Sequence, residues 1–272
     1  MIINGKQMAD EVVQALAQER ASFDKLSLGV VMSAGDAATD SFVKIKSRVA
    51  ARLNIDIVRI ELGADADTAE AVYAVEELAK NTHGIIVQLP LPEGVNLAPV
   101  LAALPESHDV DALNPNRLVR PPVAEAIAEI LSRTGVAAAN KTAIVVGAGR
   151  LVGMPAAQLL RDLGARVEVI TQTEGSLEDL EDADIVVLGA GKPGLVRPEM
   201  LQKGVVLIDA GTSAAPADVL QPREAGGRLA GDASAECAEV ASVFTPVPGG
   251  VGPLAVAMIF KNLFVLARAA KK

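Results

Sequence analysis

The chain alternates short apolar runs with amphipathic segments along most of its length. The runs Leu26–Met32, Ile55–Leu62 and Gly84–Leu89 have the length and the β-branched content that are typical of buried strands. Strands that are joined by helices pair in parallel, so this alternation predicts a parallel sheet with helices on both faces. We expect a loop at Ser33–Asp40 and helices at Met8–Asp24, Ser41–Asn54, Thr68–Asn81 and Leu97–Leu104.

A polar, proline-containing stretch at 108–122 interrupts this alternation, which resumes after a helix expected at Ala124–Thr134. The sequence therefore predicts an α/β fold with two domains and a boundary near 115–135. In the second domain we expect strands at Ala143–Val146, Ala165–Ile170, Ile185–Gly189 and Val205–Ala210. A final apolar helix is expected at Gly252–Ala269.

Composition excludes several classes of partner. A formal net charge of −9 over 272 residues disfavours binding to nucleic acid. The single cysteine, Cys237, cannot form an internal disulfide, and no Cys/His cluster has the spacing of metal ligands. The N-terminus has no signal-peptide pattern, and no run of 18 or more apolar residues occurs. We therefore expect a soluble cytoplasmic protein without a metal or a membrane partner.

A glycine-rich turn, Gly147–Gly153, follows the apolar run that ends at Val146 and precedes a helix. Backbone N–H groups at such a helix start can face a pyrophosphate, and glycines allow close approach. The spacing is G-x-G-x-x-x-G rather than G-x-G-x-x-G, so a tight strand–helix turn without a ligand is the alternative. No acid follows Ile170, where an NAD-binding domain would hold the ribose, which favours NADP over NAD. Arg150 is either a partner of the 2′-phosphate or an ordinary exposed arginine.

Lys46 lies within the apolar stripe of its expected helix. With Phe42 set at zero, Lys46 lies at about 40°, inside a stripe that comprises Val43, Ile45, Val49, Ala50 and Leu53. Loss of hydration would lower the pKa of this lysine toward the range useful for proton transfer. The alternative is a lysine whose stem packs while its ammonium group reaches water.

Three further segments carry polar or unusual residues at expected strand ends and loops. Gln88 ends an apolar strand and precedes Pro90 and Pro92, so its amide either enters a ligand crevice or satisfies backbone groups. Asp109 and Asp111 are either turn-forming acids or ligand acceptors. The segment 245–253 combines prolines and glycines in a way that leaves backbone groups free to face a flat ligand.

Together these segments resemble the bifunctional methylenetetrahydrofolate dehydrogenase/cyclohydrolase family over nearly the whole chain. The most specific stretches are 87–92 and 246–253. The resemblance implies an N-terminal α/β catalytic domain at 1–120, completed by the helix at 252–272. It implies a Rossmann-type dinucleotide-binding domain at 121–251, with a cleft between the two domains. The expected reactions are oxidation of 5,10-methylenetetrahydrofolate with NADP, or alternatively with NAD, and hydrolysis of the methenyl product to 10-formyltetrahydrofolate. A role in one-carbon metabolism and purine biosynthesis, and a homodimeric state, are also implied.

The resemblance assigns roles residue by residue. Lys46 takes the position of the catalytic lysine, Gln88 that of the glutamine that positions it, and Asp111 that of the carboxylate that holds the pterin ring. Phe42 and the loop residues Pro248, Gly249 and Gly250 are expected beside the folate. The dinucleotide is expected to contact Gly147, Gly149, Arg150, Leu151, Val152, Gly153 and Thr171.

The chain departs from the family pattern at several of these positions. Phe42 replaces a tyrosine and keeps its stacking face but not its hydroxyl. Ala112 replaces a glycine, Ala148 an arginine, and Thr171-Gln172 a His-Ser pair. The alternatives are therefore a dehydrogenase with weak or lost cyclohydrolase activity, a non-catalytic folate- or dinucleotide-binding paralogue, and another two-domain dehydrogenase such as the shikimate type.

Overall fold

The computed structural model describes residues 1–35, 37–214 and 229–270. The chain divides into two compact units. One unit, which we call the Lys46 unit, comprises Ala9–Pro122 and Val256–Lys272. The other, the glycine-loop unit, comprises Met1–Met8 and Val123–Ala255.

The Lys46 unit is built on a three-stranded parallel sheet with helices on both faces. The central strand β1 is buried along nearly its whole length, and its side chains alternate between two cores. Leu28, Val30 and Met32 pack in the core that contains the first, second and last helices, whereas Val31 packs with the third and fourth. The elements are α1 Gly5–Glu19, β1 Ser27–Ser33, α2 Ala37–Arg52, β2 Asp56–Leu62, α3 Thr68–Asn81, β3 Gly84–Val87 and α4 Leu97–Ala103, with sheet order β2-β1-β3.

The glycine-loop unit has a second parallel sheet, of five strands. Its first strand, β4, pairs with β5 on one side and β6 on the other, so the strand order reverses beside β4. Its elements are α5 Pro122–Thr134, β4 Thr142–Val146, α6 Gly153–Asp162, β5 Arg166–Ile170, β6 Ile185–Leu188, β7 Val206–Asp209, β8 Ser213–Ala214, β9 Leu229–Ala230 and β10 Val243–Phe244. The sheet order is β10-β7-β6-β4-β5, and β8 and β9 form a separate antiparallel pair.

The last helix, α7 Val251–Ala269, has the length and the apolar composition of a membrane-spanning helix, with a mean hydropathy of 1.5. More than half of it is buried inside the protein, and Phe260 and Phe264 lie among the largest buried side chains. A helix buried in a protein core can have the same length and composition, so these properties alone are weak evidence for a membrane segment. Helix α7 was the only such helix found among the described residues.

Most predicted elements agree with the structure, and α3 begins and ends at the predicted residues. Asp67 caps α3 by accepting from the N–H of Glu70, whose carboxylate accepts from the N–H of Asp67. Several predicted bounds are wrong, among them those of α1, α2 and β3. Helix α1 runs from Gly5 to Glu19 rather than over Met8–Asp24, the predicted loop at Ser33–Asp40 already contains the first turn of α2, and β3 ends at Val87.

Candidate functional site

Helix α2 buries a face that is rotated from the predicted one. Val43, Lys46, Ala50 and Leu53 are buried, and their positions average about 60° from Phe42. Phe42 and Ile45 are instead 44% and 43% exposed. Lys46 therefore lies in the middle of the buried face, while Phe42, one turn earlier, lies at its edge and presents an accessible ring.

Lys46 and Gln88 form a buried polar pair in the Lys46 unit. The Nζ of Lys46 donates to Oε1 of Gln88 at 2.7 Å, and each residue is only 9% exposed. The Nε2 of Gln88 donates to the carbonyl of Leu89 at 3.1 Å, which orients the amide so that its oxygen faces the ammonium. Gln88 directly follows β3, and its N–H donates to Val31 O at 2.9 Å. The pair therefore lies at the carboxyl end of the sheet, where ligands bind in α/β folds.

The pKa values of Lys46 and Asp111 are shifted in opposite directions, and each shift favours the neutral form of the side chain. Burial lowers the pKa of Lys46, and the negative charge of Asp111 partly opposes this. Burial likewise raises the pKa of Asp111, which the charge of Lys46 lowers and that of Asp109 raises further. The structure thus brings Lys46, Gln88 and Asp111 together in one unit. A lysine with a lowered pKa gives up its proton more readily than an exposed one, as a group that exchanges protons with a substrate must.

Asp109 has a structural role in the turn that carries Asp111. Its Oδ2 accepts from the N–H of Asn114 at 2.6 Å, while its Oδ1 has no hydrogen-bond partner among the described residues. Burial raises the pKa of Asp109. The side chain of Asn262, on α7, donates to the carbonyls of Val110 and Arg120, both at 2.9 Å, and so fixes the same segment. Sequence reasoning missed Asn262, although a lone amide in an apolar helix is a usable signal.

The glycine-rich turn between β4 and α6 depends on close backbone packing. A Cβ on Gly153 would lie 1.8 Å from the carbonyl oxygen of Gly147. Gly147 has a φ of +101°, and a Cβ there would lie 2.5 Å from Gly189 O. A Cβ on Gly149 would meet nothing within 4 Å, so the backbone there is open on one side. Two glycines are thus required by packing, and the third leaves room for a ligand.

A cavity of about 470 Å³ lies at the carboxyl ends of β4, β5 and β6, where the strand order reverses. This is the position at which doubly wound sheets bind dinucleotides. Gly147, Gly149 and Thr171, which the sequence assigns to a dinucleotide site, line this cavity, and Gly153 begins the adjoining helix. Its lining consists of Val146, Gly147, Ala148, Gly149, Ile170, Thr171, Gln172, Thr173, Leu177, Gly189, Ala190, Lys192 and Leu195. The open backbone and the volume fit a dinucleotide.

Besides Gly153, three predicted dinucleotide residues lie outside this lining. Arg150 and Leu151 are exposed beside the turn, and Val152 packs its side chain against Gly189. A cation that the sequence reasoning missed, Lys192, lines the cavity instead. Its position four residues after the end of β6 could have indicated it, because ligand-facing residues cluster at strand carboxyl ends.

The proline- and glycine-rich loop lies in the glycine-loop unit. Gly249 has a φ of +110°, and the N–H of Gly250 donates to Pro246 O at 2.7 Å. The peptide bonds Leu89–Pro90 and Val247–Pro248 are cis. No group of three or more His, Cys, Asp or Glu side chains is arranged to hold a metal among the residues that the structure describes.

A glycine-turn cavity on one parallel sheet and a buried lysine at the end of another are features that a two-domain α/β dehydrogenase requires. The family model for the catalytic domain of tetrahydrofolate dehydrogenase/cyclohydrolase matches residues 3–111. The model for the NAD(P)-binding domain of the same family matches residues 121–271. The chain belongs to the tetrahydrofolate dehydrogenase/cyclohydrolase family, which confirms the predicted two-domain fold and enzyme class.

Individual relatives agree over full length. The bifunctional protein FolD of a Parafrankia species is 36% identical, over 96% of this chain and 97% of its own. A crystal structure of the Trypanosoma brucei dehydrogenase-cyclohydrolase, with NADP cofactor and an inhibitor, has a TM-score of 0.92 and 30% identity, covering 100% of this chain and 98% of that one. The shikimate dehydrogenase of Thermus thermophilus, at 18% identity and a TM-score of 0.53 over 90% of this chain and 98% of its own, shares the fold alone.

Proposed function

We propose that the chain oxidises 5,10-methylenetetrahydrofolate with NADP and hydrolyses the resulting 5,10-methenyltetrahydrofolate to 10-formyltetrahydrofolate. The observation that carries this proposal is the buried hydrogen bond of 2.7 Å between Lys46 and Gln88, with the charge of Asp111 acting on the same lysine. Family membership supplies the substrate class, and these side chains supply a group that can handle protons beside it.

In the oxidation, the bound dinucleotide accepts a hydride from the one-carbon methylene group. The protein contributes alignment, which can supply a large part of the rate acceleration. Asp111 would hold the pterin ring, Phe42 would stack on it, and Lys46 would keep the folate in place as the methenyl cation forms. The backbone of Gly147 and Gly149 and the start of α6 would hold the pyrophosphate.

In the hydrolysis, water adds to the methenyl carbon and releases a proton. Lys46, whose pKa is lowered by burial, would take this proton in its neutral form. The bond from this carbon to the N5 ring nitrogen then breaks as the new hydroxyl group releases its proton to solvent and becomes the formyl oxygen, and Lys46 would return a proton to that nitrogen. Gln88 would keep the amine oriented throughout, because its own amide is held by Leu89 O.

Phe42 favours one alternative, a dehydrogenase with weak cyclohydrolase activity. The ring is accessible one helical turn before Lys46 but carries no hydroxyl to bind water or to assist proton transfer. Hydride transfer depends on ring stacking and alignment, so its rate should be reduced less than the rate of hydrolysis.

We further propose NADP as the preferred cofactor, with NAD as a possible substitute, and a functional division at 1–120 plus 252–272 for folate and 121–251 for the dinucleotide. The NADP in the Trypanosoma brucei structure and the absence of an acid in the Thr171–Thr173 part of the cavity support NADP. A cytoplasmic location and a role in supplying one-carbon units for purine biosynthesis follow from the family resemblance.

We also propose a homodimer. Strand β2 lies at the edge of its sheet, where unpaired backbone groups invite pairing, and its Val58 is exposed. Tyr73, on α3 of the same unit, is also exposed. Light scattering of the purified chain tests this, and a monomer at micromolar concentration would contradict it.

A spectrophotometric assay with 5,10-methylenetetrahydrofolate tests the proposed function. Reduced nicotinamide and methenyltetrahydrofolate are followed at separate wavelengths, with NADP and with NAD. Cofactor reduction without accumulation of the methenyl product supports both activities, whereas accumulation supports the weak-cyclohydrolase alternative. Phe42→Tyr should then raise hydrolysis more than oxidation. If neither cofactor is reduced, the proposal fails and the chain is a binding paralogue.

A further inference from the structure

The cavity at the strand ends of the glycine-loop unit contains one charged residue among its described lining residues, Lys192. The rest of its lining is glycine, apolar or neutral polar. Arg150, which the sequence suggested as an anion partner, does not line it. A lysine on a flexible four-carbon stem is a common binder of phosphate groups.

The loop that carries Lys192 is held in place by a buried carboxylate. Asp232 accepts hydrogen bonds from the backbone N–H groups of Ala190, Gly191 and Lys192 at 2.6, 3.1 and 2.7 Å. Asp232 is buried, and Gly191 has a φ of +68°. The carboxylate is thereby engaged by backbone donors, while the side chain of Lys192 is left exposed at the cavity.

NADP differs from NAD by a 2′-phosphate that carries close to two negative charges. The pyrophosphate common to both is served by backbone N–H groups and the start of α6. The 2′-phosphate lies near the end of the second strand of a Rossmann-type unit, and Thr171–Thr173 of that strand end line the same cavity as Lys192. These threonines and Gln172 supply hydrogen bonds but no positive charge.

We propose that Lys192, positioned by Asp232, binds the 2′-phosphate of NADP and determines the preference for NADP over NAD. This inference rests on the proposed function, since it assumes that the cavity binds the dinucleotide. It identifies a specificity residue that stands on the loop after the third strand rather than on the glycine turn.

The test is a comparison of dissociation constants for NADP and NAD, measured by titration without folate. Lys192→Met should weaken NADP binding by roughly 10- to 100-fold, the usual contribution of a hydrogen bond to a charged group, and leave NAD binding unchanged. Lys192→Arg should retain most of the NADP preference. Lys203→Met is the matched control, because Lys203 is an exposed lysine before β7 and does not line this cavity. It removes the same charge and should alter neither constant.

Three results would overturn the inference. Equal weakening of NADP and NAD binding by Lys192→Met would place Lys192 at the pyrophosphate. Unchanged dissociation constants would show that Lys192 does not contact the dinucleotide. A wild-type chain that binds NAD more tightly than NADP would also refute it. These outcomes are independent of the folate chemistry. A chain that shows the predicted effect of Lys192 but does not turn over 5,10-methylenetetrahydrofolate would refute the proposed function and support the inference.

Discussion

Replacing Gly153 by alanine tests whether the glycine turn owes its shape to backbone packing. A Cβ at this position would lie 1.8 Å from Gly147 O and 2.7 Å from Gly147 C, so the turn or helix α6 must move by more than an ångström. The neighbouring atoms belong to backbone and cannot rotate away. Overpacking of this kind costs about 1–3 kcal/mol, and the displaced N–H groups should weaken NADP binding by about 10-fold or more. Urea unfolding without cofactor and NADP titration measure the two effects.

Gly149→Ala is the matched control for this prediction. Its new Cβ would meet nothing within 4 Å, so the free energy of unfolding should change by less than about 0.5 kcal/mol. NADP binding should still weaken, because the methyl group would occupy space that the dinucleotide approaches. A Gly153→Ala protein with unchanged stability and unchanged affinity would refute the packing argument.

Three further predictions concern stability and pH. Ala112→Gly should raise the free energy of unfolding by about 0.5 kcal/mol. Ala112 has a φ of +53°, and glycine relieves that strain by more than it adds to the conformational entropy of the unfolded chain. A lower urea midpoint for this variant would contradict the prediction. Burial raises the pKa of Asp209 to about 6, so the folded state keeps a proton that the unfolded state releases, and this contribution to stability should fall by roughly 2 kcal/mol from pH 4 to 6. Asp209→Asn should abolish that slope in urea titrations, and an unchanged slope would show that Asp209 is not its source. Gln88→Leu removes a hydrogen-bond acceptor of the Lys46 ammonium, which should lower the pKa of Lys46 further. The acid limb of the pH–rate profile for hydrolysis should therefore move to lower pH. An unmoved limb would show that Gln88 does not affect the pKa of Lys46.

The parallel sheets and most helices could be predicted because local signals and packing agree there. Helix α3 is the clearest example, since the capping box at Asp67 and Glu70 marks its start. Strand β10 was missed because it has only two residues and is defined by pairing with β7. Tertiary contacts likewise decide which face of α2 is buried, and the local sequence pattern does not show them. The apolar pattern predicted a stripe around Phe42, and its members Val43 and Ala50 are buried by contacts with β1 and α7. Phe42 and Ile45, which the same pattern placed in the stripe, are exposed.

The candidate site was partly predictable for the same reason. Lys46 and Gln88 stand out in sequence as polar residues in apolar segments, and the structure adds the hydrogen bond between them. Lys192 does not stand out, because a lysine in a glycine- and proline-containing loop is usually a solvated residue. Its placement depends on Asp232, which is 40 residues away in sequence and holds the loop through three backbone N–H groups.

The central claim is that the buried Lys46 handles the protons of the folate reaction. The most direct measurement is the rate of methenyltetrahydrofolate hydrolysis above its spontaneous rate, for Lys46→Met and for Lys44→Met. Lys44 lies on the same helix but is exposed, so it controls for the loss of charge. We predict a loss of about 10²- to 10⁴-fold for Lys46→Met, with folding retained, and an unchanged rate for Lys44→Met. Hydrolysis by a folded Lys46→Met protein at the wild-type rate would contradict the account.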